Sequence, residues 1–392
     1  MISIQRAKEL VAQNTHPLLK KVKKTLQLCG GYTLAETVYS SINMPPFRQS
    51  AMDGYALNLH EALEYQLIGE IKAGDGAEPN LKPGEAVRIF TGAPVPDSAN
   101  AVMMQEKIQL ENKRIILSEA ISEGTNIRPE GEQVTKGAIA LKEGTVLTPA
   151  AIGFLSSLGI TEVLVYDKPK IAVITTGNEL VGPDQPLTYG KIYESNSEML
   201  RAALESLDFN AVTVHKVEDD FNKTKTLLDK VLNENNLVII TGGISVGDYD
   251  FVGKALKEIQ VEEIFYKVKQ KPGKPLFFGK RNDSSVFALP GNPAASLTCF
   301  YIYVYIALQN MTHRKSQELR CIKAISTSEF LKKGDRPQFL KAICQDGTVT
   351  ILEGQNSSML HTFALANALV FADEAITKIN QGDVLETVLL PT

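Results

Sequence analysis

The run Leu237-Val-Ile-Ile-Thr-Gly-Gly-Ile-Ser-Val-Gly-Asp-Tyr-Asp250 constrains this chain more than any other segment. Its apolar start reads as a buried strand, and the backbone then breaks into a glycine-rich turn carrying hydroxyls and carboxylates. In an open parallel sheet, ligands bind beyond the carboxyl ends of the strands, where loops present free backbone N–H groups. Gly242, Gly243 and Gly247 let that backbone approach an anion closely, and Thr241 and Ser245 add short donors. Asp248 and Asp250 would repel a bare phosphate. A carboxylate beside a phosphate cradle calls for a divalent cation bridging the two, or for a group that handles protons.

The same arrangement recurs twice. Ile171-Ala-Val-Ile-Thr-Thr-Gly-Asn-Glu179 is a strand running into Thr176, Gly177, Asn178 and Glu179. Val286-Phe-Ala-Leu-Pro-Gly-Asn-Pro293 runs into a stiff turn, Pro290-Gly291-Asn292-Pro293, that opens a long apolar segment. Each junction alone is an ordinary turn. Together they imply one parallel sheet with its loops gathered on one edge, and Lys267, Lys271 and Lys274 nearby strengthen the case for an anion site.

The rest of the chain divides by texture. Residues 2–29 read as amphipathic and helical, with Ala7, Leu10, Val11, Leu18, Leu19, Val22 and Leu26 roughly on one face. Residues 46–140 hold short β-like runs between Gly, Pro, Asp and Asn, the pattern of a small β domain. A helix at 149–158 and a strand at 162–166 follow. Residues 168–315 read as the doubly wound sheet domain, with helices at 195–206, 221–233, 251–258 and 294–309 and a strand at 210–217. Residues 316–392 turn strand-rich again, with turns at Lys333-Gly-Asp, Gln345-Asp-Gly and Ile379-Asn-Gln-Gly382, and read as a compact β-barrel-like tail. The expected class is multidomain α/β plus β.

Composition excludes several partners. A formal net charge of −4 over 392 residues argues against a nucleic-acid-binding surface. Cys29, Cys299, Cys321 and Cys344 are widely spaced without a CxxC, so they read as reduced thiols in a cytoplasmic setting. The N-terminus lacks the apolar core of a signal peptide. The apolar run 294–308 is shorter than the ~20 residues a bilayer requires and reads as a buried helix.

Individual side chains keep two readings at this level. Prolines 272 and 275 stiffen the Lys271–Pro275 loop, which is either a solvated basic loop or a pre-ordered anion holder. Asp219 either caps the helix after it or reaches the sheet edge with Glu179 and Asp250. Asp53-Gly54 can be only a turn, and Arg128 sits in a Gly/Pro-bounded loop where a guanidinium can grip an anion.

Ordered motifs add a resemblance. Ser50-Ala-Met-Asp-Gly-Tyr-Ala56, Ile89-Phe-Thr-Gly-Ala-Pro-Val-Pro96, Asn126-Ile-Arg-Pro-Glu-Gly-Glu132 and Leu147-Thr-Pro149 are followed by Thr176-Gly-Asn-Glu-Leu180 and Ile192-Tyr-Glu-Ser-Asn196. The Gly242–Asp250 run, Lys271-Pro-Gly-Lys-Pro275 and Leu289-Pro-Gly-Asn-Pro293 complete the series. With them the chain resembles the MoeA family of molybdopterin molybdenumtransferases, relatives of the gephyrin E domain. The tail after about residue 315 matches only loosely.

The resemblance implies that residues 1–45 and 141–167 form one N-terminal domain into which 46–140 is inserted. It implies an enzyme of molybdenum cofactor synthesis that takes adenylylated molybdopterin and molybdate and releases AMP. Asp53, Glu179, Asp219, Asp250, Lys267 and Lys271 would be catalytic, with Glu179, Asp219 and Asp250 holding Mg²⁺ or managing protons. Substrate would be bound by Thr91, Gly92, Arg128, Thr176, Gly177, Asn178, Gly242, Gly243, Ser245, Gly247, Lys274 and the turn Pro290, Gly291, Asn292, Pro293. It further implies a homodimer with each site shared between subunits, and a molybdopterin adenylyltransferase as a partner passing on the intermediate. Gln133 departs from the Asp common in the family, so no role is carried onto it. The rival readings are an adenylyltransferase on a similar sheet, disfavoured by the long N-terminal region and tail, and a gephyrin-like scaffold, disfavoured by intact Glu179, Asp250 and Lys271.

Overall fold

Ile171–Thr176 and Leu237–Thr241 are apolar until their terminal threonines, and such strands need both faces of a sheet covered. In the computed structural model, which describes residues 1–76, 78–244, 251–314 and 318–391, both are buried along their whole length inside a six-stranded sheet. The elements of this layer are β1 (Ile171–Thr176), α1 (Asn196–Ser206), β2 (Val212–Val217), α2 (Phe221–Glu234) and β3 (Leu237–Thr241). They continue with α3 (Phe251–Glu258), β4 (Glu262–Tyr266), β5 (Phe277–Arg281), β6 (Ser284–Leu289) and α4 (Pro293–Cys299).

The strand order is β2-β1-β3-β6-β5-β4. Strands β1, β2, β3 and β6 run parallel, and β5 reverses against both β6 and β4. Alternation along β1 divides the core. Ile171 and Val173 face a cluster with Leu200, Leu204 and Phe300, while Ala172 and Ile174 face one with Leu228, Val231, Val252 and Leu256. The chain leaves β1 toward β2 and returns beside β1 as β3, so the order switches direction between β1 and β3. That switch creates a crevice at their carboxyl ends.

The apolar run at 294–308 is helical as expected, but not uniformly so. After α4 it passes through a π turn, Phe300–Val304, before the helix Tyr305–Met311. Its side chains are nearly all buried in the core, and no helix among the described residues is long and apolar enough to cross a membrane.

By spatial clustering the chain forms two units: residues 1–22, 31–33 and 166–392, and residues 23–30 and 34–165. The first holds the sheet layer, the helix Ile4–Asn14 and a closed barrel of Cys321–Ser326, Thr348–Ile351, Gln338–Gln345, Ala368–Ala372 and Val384–Leu389. In the barrel, Asp346 and Gly347 take positive φ between paired Gln345 and Thr348, the two-residue hairpin that an Asp-Gly pair favours. The second unit is built on a six-stranded sheet that includes Gly54–Leu57, Glu64–Ile71, Glu85–Ile89 and Ala101–Met104, with a helix at Pro149–Ser157 capped by Thr148.

One expectation fails. Residues 2–29 are not one helical region: the helix ends at Asn14, Lys21–Thr25 is a strand, and Leu19 is exposed. Pro17 explains the stop, since it lacks an N–H and its ring disfavours helical backbone at His16. Beyond it, Lys21–Thr25 alternates exposed and half-buried side chains, the two-residue period of a strand.

Candidate active site at the carboxyl edge of the sheet

Register places the three polar turns at one level. Thr175 pairs with Thr241 and Thr241 with Leu289, so the turns after β1, β3 and β6 leave the sheet side by side. They surround a cavity of about 710 Å³ lined by Thr176, Gly177, Glu179, Asp219, Gly242, Gly243, Pro290, Gly291, Asn292 and Pro293. Gly242 is held at φ +91°, and a Cβ there would stand 2.4 Å from the Thr176 carbonyl oxygen. Only glycine lets the β1 and β3 turns approach this closely.

Asp219 belongs to the site. Its Oδ1 accepts from Thr176 Oγ1 at 2.6 Å and its Oδ2 from the Asn178 N–H at 3.1 Å, while its own N–H donates to Asn178 Oδ1 at 3.2 Å. The helix cap is the neighbouring Asp220, whose carboxylate accepts from the Lys223 N–H at 2.8 Å. The doublet thus divides two tasks. Asn178 braces Asp219 and receives Lys191 Nζ on its carbonyl at 2.6 Å.

Three contributors were not foreseen as site residues. Asn196 Nδ2 donates to Thr241 Oγ1 at 2.8 Å and to the Gly291 carbonyl at 2.7 Å, tying the β3 and β6 turns together. Ser358, from the barrel, lines the cavity. Beside it, Ser357 Oγ accepts from Asn292 Nδ2 at 2.8 Å, and its carbonyl takes the Ala294 and Ala295 N–H groups at the start of α4. The loop carrying both serines is held by Lys341, a buried ammonium that donates to the carbonyls of Gly354, Asn356 and Met359. Burial pushes the Lys341 pKa down. A lone lysine within a strand gives no sequence signal of this kind. Asn196 stood at the end of a quoted motif but lacked a chemical role.

The predicted lysines lie off the cavity wall. Lys267 has positive φ and its ammonium lies 4.6 Å over the Tyr266 ring; Lys267 and Lys271 are half-buried and Lys274 is exposed. Pro275 brings their loop to the cavity. Ser245, Gly247, Asp248 and Asp250 lie outside the described residues.

In the second unit the predicted residues converge by themselves. Ile127 and Arg128 pair with Ser50 and Gln49, and the Gly92 N–H donates to the Ser50 carbonyl at 2.9 Å. Asp53 Oδ1 accepts from both the Thr91 N–H and Thr91 Oγ1, each at 2.7 Å. These bonds, with a smaller pull from Arg88, hold the Asp53 carboxyl below its usual pKa. Asp53 and Thr91 are thus bonded directly, while Gly92 and Arg128 join them through backbone pairing with Ser50 and Gln49.

The donor set fits Mg²⁺. Glu179 and Asp219 face one cavity with the polar turns, and Mg²⁺ is typically held by one or two carboxylates with substrate phosphates and water completing the shell. No cage of three or more His, Cys, Asp or Glu side chains exists among the described residues.

Comparison with known proteins gives the lineage. Residues 2–159 match the MoeA N-terminal region (domain I and II), 172–310 a probable molybdopterin binding domain, and 323–390 the MoeA C-terminal region (domain IV). The molybdopterin molybdenumtransferase of Haemophilus influenzae is 33% identical over 369 residues, covering 91% of each chain. That of Staphylococcus epidermidis is 30% identical, covering 99% of this chain and 95% of its own. The crystal structure of the molybdopterin biosynthesis MoeA protein from Pyrococcus horikoshii OT3 superposes with a TM-score of 0.84 at 29% identity, covering 99% and 100%. With these matches spanning both units, the switch-point cavity and the barrel, the chain belongs to the MoeA family.

Proposed function

We infer that this protein is a molybdopterin molybdenumtransferase of molybdenum cofactor biosynthesis, inserting molybdate into adenylylated molybdopterin with release of AMP. The observation that carries this is the switch-point cavity: three polar strand ends converge with Glu179 and Asp219 in a chain that matches the named relatives over nearly its whole length. Matching N-terminal and C-terminal regions favour this activity over that of a single-domain adenylyltransferase.

The residues suit the chemistry. The Gly242-Gly243 and Gly291 turns present bare backbone to the pyrophosphate and nucleotide. Thr176 and Asn178 fix Asp219 so that its remaining lone pairs face the ligand without reorganising. Glu179 and Asp219, with Asp250, would hold Mg²⁺, which when bound supplies neutralisation of the pyrophosphate charge as AMP leaves. Lys267, Lys271 and Lys274 would hold the molybdate oxyanion, each charge-assisted hydrogen bond contributing about 1.5–3 kcal/mol. Asp53 and Arg128 complete the site from the second unit of a partner subunit in a homodimer. A molybdopterin adenylyltransferase delivers the intermediate, and the cytoplasm is the setting.

The test is a defined assay of the full chain with adenylylated molybdopterin, molybdate and Mg²⁺. AMP release coupled to formation of active cofactor is expected. Neither product at saturating substrates would refute the activity.

A further inference from the structure

The Lys271-Pro-Gly-Lys274 loop rests on a polar network buried in the core. Gln270 and Tyr303 are both 0% exposed. Gln270 Nε2 donates to the Gly273 carbonyl at 3.1 Å and toward Cys299 Sγ at 3.4 Å, and its Oε1 accepts from the Tyr303 hydroxyl. Gly273 takes φ +84°, and a Cβ there would stand 2.4 Å from Cys299 Sγ, so the loop tip packs directly on α4. On the other side the backbone is stitched to the barrel: Arg336 Nη1 donates to the Gln270 carbonyl at 3.0 Å, and Lys271 exchanges backbone bonds with Pro337 and Phe339, each 2.9 Å long.

Stability alone does not account for this amide. A buried polar group costs free energy unless it is bonded, and a well-packed apolar pair in its place is often neutral. What a fully satisfied network adds is a single arrangement of the groups it joins. Tyr303 also sits in the π turn, and such turns, which interrupt the regular helical register, recur at functional sites.

We propose that Gln270 and Tyr303 are positioning residues of the active site, their amide–phenol pair fixing the Lys271–Lys274 loop so that its ammonium groups meet the oxyanion substrate already ordered. The proposal rests on the reading of these lysines as oxyanion holders. It acts through preorganisation: a loop ordered before binding does not spend interaction energy on ordering itself.

Full-length Tyr303→Phe, Gln270→Leu and the double variant test it, with Lys271→Ala as reference. Three quantities are read: hydrogen exchange of the peptide spanning residues 271–276, Tm, and KM for each substrate. Losing one buried partner corresponds to roughly tenfold in an equilibrium constant, so Tyr303→Phe should speed exchange and raise the molybdate KM by about that factor. The KM for adenylylated molybdopterin should stay within about twofold. Pairing Gln270→Leu with Tyr303→Phe removes the amide–phenol pair but also strips the Gly273 carbonyl of its donor, so Tm should stay low while fast exchange and the raised molybdate KM persist. Unchanged exchange in Tyr303→Phe, or a double variant whose molybdate KM matches wild type, would overturn the proposal. If exchange rises but Lys271→Ala leaves the molybdate KM unchanged, loop positioning stands and the lysine assignment fails.

Discussion

Two adjacent carboxylates show how much one position changes a role. Asp219 bonds Thr176 and Asn178 at the cavity, whereas Asp220 caps α2. Asp219→Asn should cut kcat by about 10²-fold or more, because an amide cannot supply a carboxylate's charge. Its Tm should hardly move. Asp220→Ala should do the reverse, losing about 1 kcal/mol in urea unfolding with kcat intact. A matching loss of activity in both variants would contradict this division. For Asp53, hydrogen bonds from Thr91 depress the folded pKa. A depressed acid stabilises the fold above its unfolded pKa, about 3.9, and loses that contribution as pH falls through the lower folded value. The gap in urea midpoint between wild type and Asp53→Asn should therefore be full near neutrality and close below about pH 3.9. A gap independent of pH would remove Thr91 as the cause.

Among the elements, the turns after β1 and β3 are joined more tightly than their sequences suggest. Gly242→Ala would place a methyl 2.4 Å from the Thr176 carbonyl oxygen at φ +91°. Backbone strain of this kind costs about 1–3 kcal/mol, and relief requires the turns to part. The variant should lose Tm and turnover together. Gly137→Ala, in the second unit with positive φ but nothing within 4 Å, should lose stability with turnover per folded molecule preserved. Equal turnover per folded molecule in the two variants would mean that the turns do not need their close approach. The element boundaries were mostly legible: the strand ends at Thr176, Thr241 and Leu289 follow from apolar runs meeting Gly or Pro. The region after Asn14 was not, because Leu18, Val22 and Leu26 mimic a helical stripe where Lys21–Thr25 in fact pairs as a strand with Glu162–Tyr166.

For the whole molecule, the question is whether Asp53 and Glu179 serve one site. They belong to different compact units. If the proposed homodimer shares its sites, inactive Asp53→Ala and Glu179→Ala chains should regain activity when mixed and allowed to exchange subunits. In a mixed dimer one site carries both wild-type residues and the other carries neither, so about a quarter of wild-type activity is expected from statistical exchange. No recovery after verified exchange, or a monomer by sedimentation at assay concentration, would exclude shared sites.

The sequence by itself determined the class of the fold and the level of the site. Strands apolar up to their terminal threonines need both faces covered, and three strands each running into a Gly- or Pro-rich turn together imply one parallel sheet with its loops on one edge. Those constraints are local, so they are visible in a single chain. Tertiary structure decided everything that depends on who stands opposite. It assigned Asp220 to the cap and Asp219 to the cavity, brought Ser358 in from the barrel on a loop held by Lys341, and set Gln270 beneath the lysine loop against Tyr303. Hydrogen-bond partners 33 to 65 residues apart leave no periodicity behind, because the bond depends on the packed geometry and not on spacing along the chain.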